Sequence, residues 1–305
     1  MITEPRKRRT ACFLVALLTP AWVPACAETL PKDVGSIYRN AIVVGTIDIP
    51  GLVELSGLAA SRIRDDTLWA HNDSLNAPIL YAFGTDGRDL GSLRVEGASY
   101  LDWEDMASFE LDGQPYLVIG DVGDNRALRP FVSLFFLREP AVPSETIEET
   151  RRVRVEWAVH YRYEDGPRDC ESLAIDEPGK RILLLSKRTD PPVLYELPLA
   201  RPDGESGLLQ TARRLAEVPG LRKPTALDIS PDGARAVIQT RRYTYVFDRD
   251  AGQSWNEVFS GTPQRIEMPR MPGIEAVTFD RHGRSVFVTR EQRPNPLVRI
   301  DPSTE

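Results

Sequence analysis

The chain has 305 residues, with 45 Asp+Glu against 38 Lys+Arg and a formal net charge of -7. An acidic balance excludes a typical duplex nucleic-acid binder, whose phosphate contacts need a basic surface. Three Cys and three His exclude a disulfide scaffold and a Cys/His zinc cluster, so any bound metal must rely on oxygen ligands.

Residues 1–27 place a basic cluster (Arg6, Lys7, Arg8, Arg9) before an apolar run that ends in Ala25-Cys26-Ala27. That is the order of an export signal with a small-x-small cleavage site. Lipidation at Cys26 is the alternative processing, and export, to a periplasm or beyond, follows either way. The apolar run is too short to span a bilayer and no later segment qualifies. Cleavage after Ala27 leaves a net charge of -10 and Cys170 as the one remaining thiol. Residues 28–35 read as a short leading segment and 36–305 as the folded domain.

Five segments share one pattern: LSGLAAS (55–61), WEDMASF (103–109), CESLAID (170–176), PTALDIS (224–230) and IEAVTFD (274–280). Aligned, they put Ser56, Glu104, Glu171, Thr225 and Glu275 in one column, at intervals of 48, 67, 54 and 50 residues. Each segment is followed by a β-prone run (67–73, 115–121, 181–187, 235–241, 285–291) and then by a third (79–83, 131–137, 193–199, 243–247, 296–300). Asp-Gly turns at 86–87, 112–113 and 232–233 separate them as hairpins. A fourth run closes four of the units (92–97, 151–161, 212–218 and 264–268), while the last has none before Glu305; the strand at 41–50 supplies it. The expected architecture is all-β: a five-bladed β-propeller closed by the N-terminal strand completing the last blade. Six blades would require the 67-residue interval to hold a further blade, where the sequence offers a long loop around 139–150. A two-sheet sandwich explains the strands but not the recurring column.

In a propeller the first strand of each blade lines the central channel. The column then gathers three carboxylates and two hydroxyls at one mouth. Converging carboxylates are costly to desolvate while ionised, and Ca²⁺, which accepts oxygen ligands in a flexible shell, relieves that cost. Ser56, Glu104, Glu171, Thr225 and Glu275 are therefore the expected metal ligands. The plainer alternative is that they cap strands or line a wet channel. It accounts less well for a column made of oxygen-bearing side chains throughout beside an apolar column two residues on (Leu58, Met106, Leu173, Leu227, Val277).

The turns on the same face carry His71-Asn72-Asp73 and the run GDVGDN (120–125) in the first two units, and Lys187-Arg188, Arg241-Arg242 and Arg290-Glu291 in the others. Basic side chains opposite a cation suit a small anionic ligand, although loop charges are ordinarily just solvated. Ligand contacts are expected from Asn72, Asp124, Asn125, Lys187, Arg188, Arg241 and Arg290. His71 and Asp73 are the general-base candidates. In GDVGDN either Asp121 polarises a water or binds a second cation, or the run is a tight turn in which Gly120 and Gly123 supply unusual backbone angles. Cys170 reads as a packed residue, with no His in its motif.

The column and its spacing resemble the calcium-activated apyrases, secreted five-bladed propellers that hydrolyse nucleoside di- and triphosphates. That family carries a Ser–Glu–Glu–Ser–Glu ring around one Ca²⁺, matched by Ser56, Glu104, Glu171, Thr225 and Glu275 with Thr in the fourth place. Lys187-Arg188 resembles a basic pair of the family. The family's acidic turn with a following Arg is replaced by His71-Asn72-Asp73-Ser74, and its aromatic nucleotide-clamping loops are not recognisable. The resemblance thus implies the metal ring without the nucleotide specificity. The chain also resembles bacterial exported propellers with DWED and GDxGDN motifs, here 102–105 and 120–125, described as esterase-like or phytase-like.

Three functions follow as expectations: a Ca²⁺-dependent hydrolase of a phosphorylated or other anionic ester, a non-catalytic propeller with a structural Ca²⁺ that binds a ligand or envelope protein, or a lactone hydrolase. Lactonases of this kind have six blades, so the five-unit count disfavours the third. A monomer is expected.

Overall fold

The computed structural model describes residues 38–143, 151–202, 209–269 and 271–303. The expected export signal, the segment 28–35 and much of the loop expected at 139–150 lie outside them. The described chain is all-β, as expected. The first strand, β1 (Tyr38–Ile47), is followed by β2 (Leu55–Ala60), β3 (Thr67–Asn72), β4 (Ile79–Gly84) and β5 (Asp89–Glu96). Next come β6 (Trp103–Leu111), β7 (Gln114–Asp121), β8 (Val132–Arg138), β9 (Arg152–Arg154) and β10 (Trp157–Tyr163). The second half holds β11 (Cys170–Asp176), β12 (Arg181–Ser186), β13 (Val193–Pro198), β14 (Gln210–Glu217), β15 (Pro224–Ile229), β16 (Arg235–Thr240) and β17 (Thr244–Asp248). After α1 (Trp255–Ser260), which opens with a Ser254/Glu257 capping box, come β18 (Gln264–Ile266), β19 (Ile274–Phe279), β20 (Val286–Arg290) and β21 (Asn295–Pro302). Among the described residues no helix is long and apolar enough to cross a membrane.

Hydrogen bonding divides these strands into four sheets, not five equal ones. Consecutive antiparallel meanders run β2-β3-β4-β5, β6-β7-β8-β10, β11-β12-β13-β14, β15-β16-β17-β18 and β19-β20-β21. The second and third meanders merge into one eight-stranded sheet because their outer strands β10 and β14 pair in parallel, Tyr161 opposite Gln210. The run 151–161, read from sequence as one strand, is split. Its first part, β9, pairs in parallel with β5 of the first meander, and β10 pairs with β8. Both departures use outer strands, whose free N–H and C=O groups favour any available partner. The strand expected to close the last unit does so: β1 pairs antiparallel with β21, Val43 opposite Val298.

The apolar core lies between successive meanders. Trp69 and Leu80 pack with Leu117 and Ile119, Val118 and Phe136 with Leu173 and Tyr195, and Leu183 and Leu185 with Leu227 and Tyr245. Val237 and Val246 then pack with Val277 and Val288, and Phe287 and Leu297 return to Leu58 and Phe83. Each such side chain contributes about 1.5–3 kcal/mol when fully buried. The inner strands touch in the same cyclic order, β2 on β6, β6 on β11, β11 on β15, β15 on β19 and β19 on β2.

Every inner strand is irregular at the same place. The antiparallel register skips between Leu55 and Leu58, Trp103 and Met106, Cys170 and Leu173, Pro224 and Ala226, and Ile274 and Ala276. Each skip brackets one member of the aligned column. Bulges of this kind interrupt a ladder and re-aim a side chain, so the recurring column marks five local breaks in pairing.

Candidate functional site

All five column residues are buried, with exposures from 1% for Thr225 to 7% for Glu275. The Ser56 hydroxyl donates to the Glu104 carbonyl at 2.5 Å, joining β2 to β6. The Lys187 ammonium, at the end of β12, contacts Glu171 and lies 3.9 Å from Glu275 Oε1. Thr225 Oγ1 and Glu275 Oε2 have no hydrogen-bond partner.

The tightest group of carboxylates is not the column itself. One oxygen each from Asp73, Asp102 and Glu104 lie within 4.8 Å of one another. Burial pushes the Glu104 carboxyl well above its ordinary range, reinforced by the charges of Asp73 and Asp102 and opposed by Lys187. Burial and Asp73 likewise raise Asp102 to about 6. Glu275 rises to about 7 through burial, against the pull of Lys187 and Arg241. Lys187 is shifted down by its own burial, although Glu275 and Glu104 favour its charged form. Lys187 thus faces carboxylates from β6, β11 and β19.

Asp102 and Asp169 also belong to the site, beyond the residues expected from sequence. The signal was available two positions before the column, where the first three units carry Glu54, Asp102 and Asp169. Asp169 is buried and organises the next turn: it accepts from Asp124 N at 3.0 Å and from Arg188 Nε at 2.5 Å.

The remaining candidates fall into different roles. Asp73 stays with the acid cluster, its carboxyl raised chiefly by burial. His71 is fully buried, packs edge-on against Trp103 at 5.3 Å, and its Nδ1 is 2.9 Å from the Asn72 carbonyl. Burial lowers it to about 4, so it is neutral at pH 7. It occupies the space opened by Gly57, where a Cβ would collide with the ring. Asn72 is a brace, accepting from Val53 N and Glu54 N at 2.9 and 3.0 Å and donating to the Gly51 carbonyl at 2.8 Å. Asp121 is fully buried; its oxygens take Ser99 Oγ at 2.5 Å, Asp102 N at 3.1 Å and the Arg129 guanidinium at 2.8 Å. Asp124 accepts from Leu128 N and Arg129 N, and Asn125 accepts from Arg188. Arg290 bonds the Gln292 and Pro294 carbonyls, bracing its own loop. Of the predicted cations, Lys187 is at the column, and the exposed Arg241 acts on Glu275 and Lys187.

GDVGDN is therefore the end of β7 and the chain leading into a turn at Asp124–Ala127, and its glycines do not supply unusual angles. Neither Gly120 nor Gly123 has positive φ, whereas Ala127 does, at 51°. A Cβ on Gly123 would meet the carboxylates of Glu104 and Asp102, so glycine here lets the loop close on the acid cluster. Cys170 is buried, its thiol raised to about 11 by burial, consistent with packing and not nucleophilic chemistry.

Asp105, beside Glu104, was also not anticipated. It is fully buried and accepts from Met106 N at 2.9 Å, Leu173 N at 2.9 Å and Leu227 N at 3.1 Å. One carboxylate thereby joins β6, β11 and β15 beneath the column.

No family model matches the chain, and no curated protein matches it.

Proposed function

We propose that the chain is an exported five-bladed β-propeller holding Ca²⁺ at its aligned oxygens, and that it is a hydrolase of a phosphorylated or other anionic ester. The blade count is supported by the five meanders, the cyclic contact of their inner strands and the completion of the last by β1. The cation reading rests on one observation above all: Thr225 Oγ1 and Glu275 Oε2, both buried, lack any partner while three further carboxylate oxygens converge nearby. Buried polar atoms ordinarily find partners, and hard oxygen donors in this number suit Ca²⁺. Glu104, Glu171, Thr225 and Glu275 of the column, with Asp102 beside them, would hold it, and a bound Ca²⁺ would supply Lewis-acid polarisation of the ester oxygen. Asp73, beside that site, takes a proton from the attacking water. Lys187 and Arg241 steady negative charge that develops on the ester.

A non-catalytic reading, with a cation that holds the inner strands together, draws support from the positions of His71 and Asp121: the first is buried and neutral, the second fully bonded. Turnover of a panel of phosphate and carboxylate esters, measured with Ca²⁺ and with EDTA, separates the two. The hydrolase reading expects Ca²⁺-dependent turnover that falls at least 100-fold in Glu171→Gln and Asp73→Asn. Calcium binding with no turnover of any ester would leave the structural role.

A further inference from the structure

An open groove of about 640 Å³ runs between the β16–β17 turn and the chain leading into β19, a volume in the range of small-molecule sites, roughly 300–1,000 Å³. The turn contributes Arg241, Arg242 and Tyr243, β18 contributes Arg265, and the lead-in contributes Met268 and Met271. The Arg242 and Arg265 guanidinium carbons lie 5.9 and 4.8 Å from the centroid of the Tyr243 ring. Stacking of this kind orders the planar groups while leaving their N–H edges free to fork an oxyanion. Among the described residues no carboxylate is within ion-pair distance of Arg241, Arg242 or Arg265, and Glu267 is the one acid in the wall. The opposite wall is soft and apolar; Met268 is fixed by the Thr244 hydroxyl at 3.0 Å. A second hollow of about 320 Å³ shares Met271 and continues toward Val43 and Val298.

The inner end of the groove meets the candidate site. Ile274 of its wall directly precedes Glu275, and Pro224, next to Thr225, pairs with Thr240 at the base of the Arg241 turn. The two unpartnered oxygens, Thr225 Oγ1 and Glu275 Oε2, thus sit on the strands flanking that end.

We infer that this groove binds an oxyanion carrying an apolar or aromatic group, the oxyanion held by Arg241, Arg242 and Arg265 and the apolar group by Met268 and Met271. This deepens the proposed function and rests on its reading of the adjacent column as the reactive centre. Arginine forks match phosphate and carboxylate alike, and methionine walls accept varied apolar shapes.

Calorimetry of the full chain with phenyl phosphate, benzoate and inorganic phosphate, each in EDTA and in Ca²⁺, tests it. Phenyl phosphate or benzoate is expected to bind at least tenfold more tightly than inorganic phosphate, and whichever is tighter identifies the oxyanion. Arg242→Ala and Arg265→Ala should each weaken that binding at least tenfold, with melting temperature and Ca²⁺ affinity unchanged. Should either variant fold poorly, Arg242→Lys, which keeps the charge and loses the planar stack, should weaken binding to a similar degree. No preference over inorganic phosphate, or unchanged affinity in the arginine variants, overturns the groove assignment. Aryl binding in EDTA by a chain that takes up no Ca²⁺ would uphold the groove and refute the cation reading; the converse would do the reverse.

Discussion

Nζ of Lys187 lies 3.9 Å from Oε1 of Glu275, so an ammonium just past the end of β12 reaches a carboxylate on β19 across the candidate site. The same ammonium contacts Glu171. Lys187 is thus an internal counter-ion for carboxylates that burial would otherwise force to take up protons, and it shares those oxygens with any bound cation.

That competition is measurable. Lys187→Met removes one partner of a buried ion pair, a change that typically costs about 3–5 kcal/mol. The loss should be present in EDTA and shrink on adding Ca²⁺, which replaces the missing charge. An equal loss with and without Ca²⁺, read by chemical denaturation, would show that the two do not share a site.

The raised carboxyls set a pH dependence. Glu275, shifted from 4.5 to about 7, holds its proton in the folded chain over a window in which the unfolded chain releases it. Stability without metal therefore falls as pH rises from about 5 to 7, by up to about 1.4 kcal/mol per pH unit for each such proton. Asp102, raised to about 6, acts in the same direction. His71, lowered from 6.5 to about 4, opposes them, because the unfolded chain gains a proton on acidification that the folded chain refuses. Glu275→Gln should thus flatten or invert the metal-free profile measured in EDTA, and an unchanged profile would contradict the assignment. Ca²⁺ affinity should rise with pH through the same window, since the ligands must be ionised.

Gly123→Ala places a methyl against Glu104 and Asp102. The loop or the carboxylates must move, and Ca²⁺ affinity should fall at least tenfold, read by calorimetry. Unchanged affinity would mean that the Asp102–Glu104 pair is not part of the cation site.

Asp105→Ala leaves Met106 N, Leu173 N and Leu227 N without their acceptor. At about 1–3 kcal/mol for each unsatisfied buried group, the variant should lose about 3–9 kcal/mol by urea denaturation. Asp105→Asn keeps one acceptor oxygen and should lose less. Equal losses would indicate that packing, not these bonds, sets the role of the residue.

The strands were legible because β-branched and aromatic runs alternate between short turns, and the column was legible because each inner strand breaks its ladder at the same offset. Pairing between outer strands was not. Nothing in the run 151–161 indicates that β9 joins β5 while β10 joins β8 and β14, because those partners are distant in sequence. The position of His71 was obscured for a similar reason: the TLWAHND run suggests a side chain at the mouth, but Gly57 on β2 opens the space that buries it. Asp102 escaped notice because its proximity to Asp73 depends on how β6 packs beside the end of β3, although the recurring acids at 54, 102 and 169 carried part of the signal.

Aligned oxygens that hold a divalent cation must make thermal unfolding of the metal-stripped chain respond to a Ca²⁺ titration. Saturation to about 100-fold above the dissociation constant corresponds to about 2.7 kcal/mol, or roughly a 5 °C rise in Tm for a chain of this size. The rise should be absent in Glu275→Gln and Glu104→Gln. A Tm that does not move with Ca²⁺, or that moves equally in these variants, would mean that the aligned oxygens hold no cation.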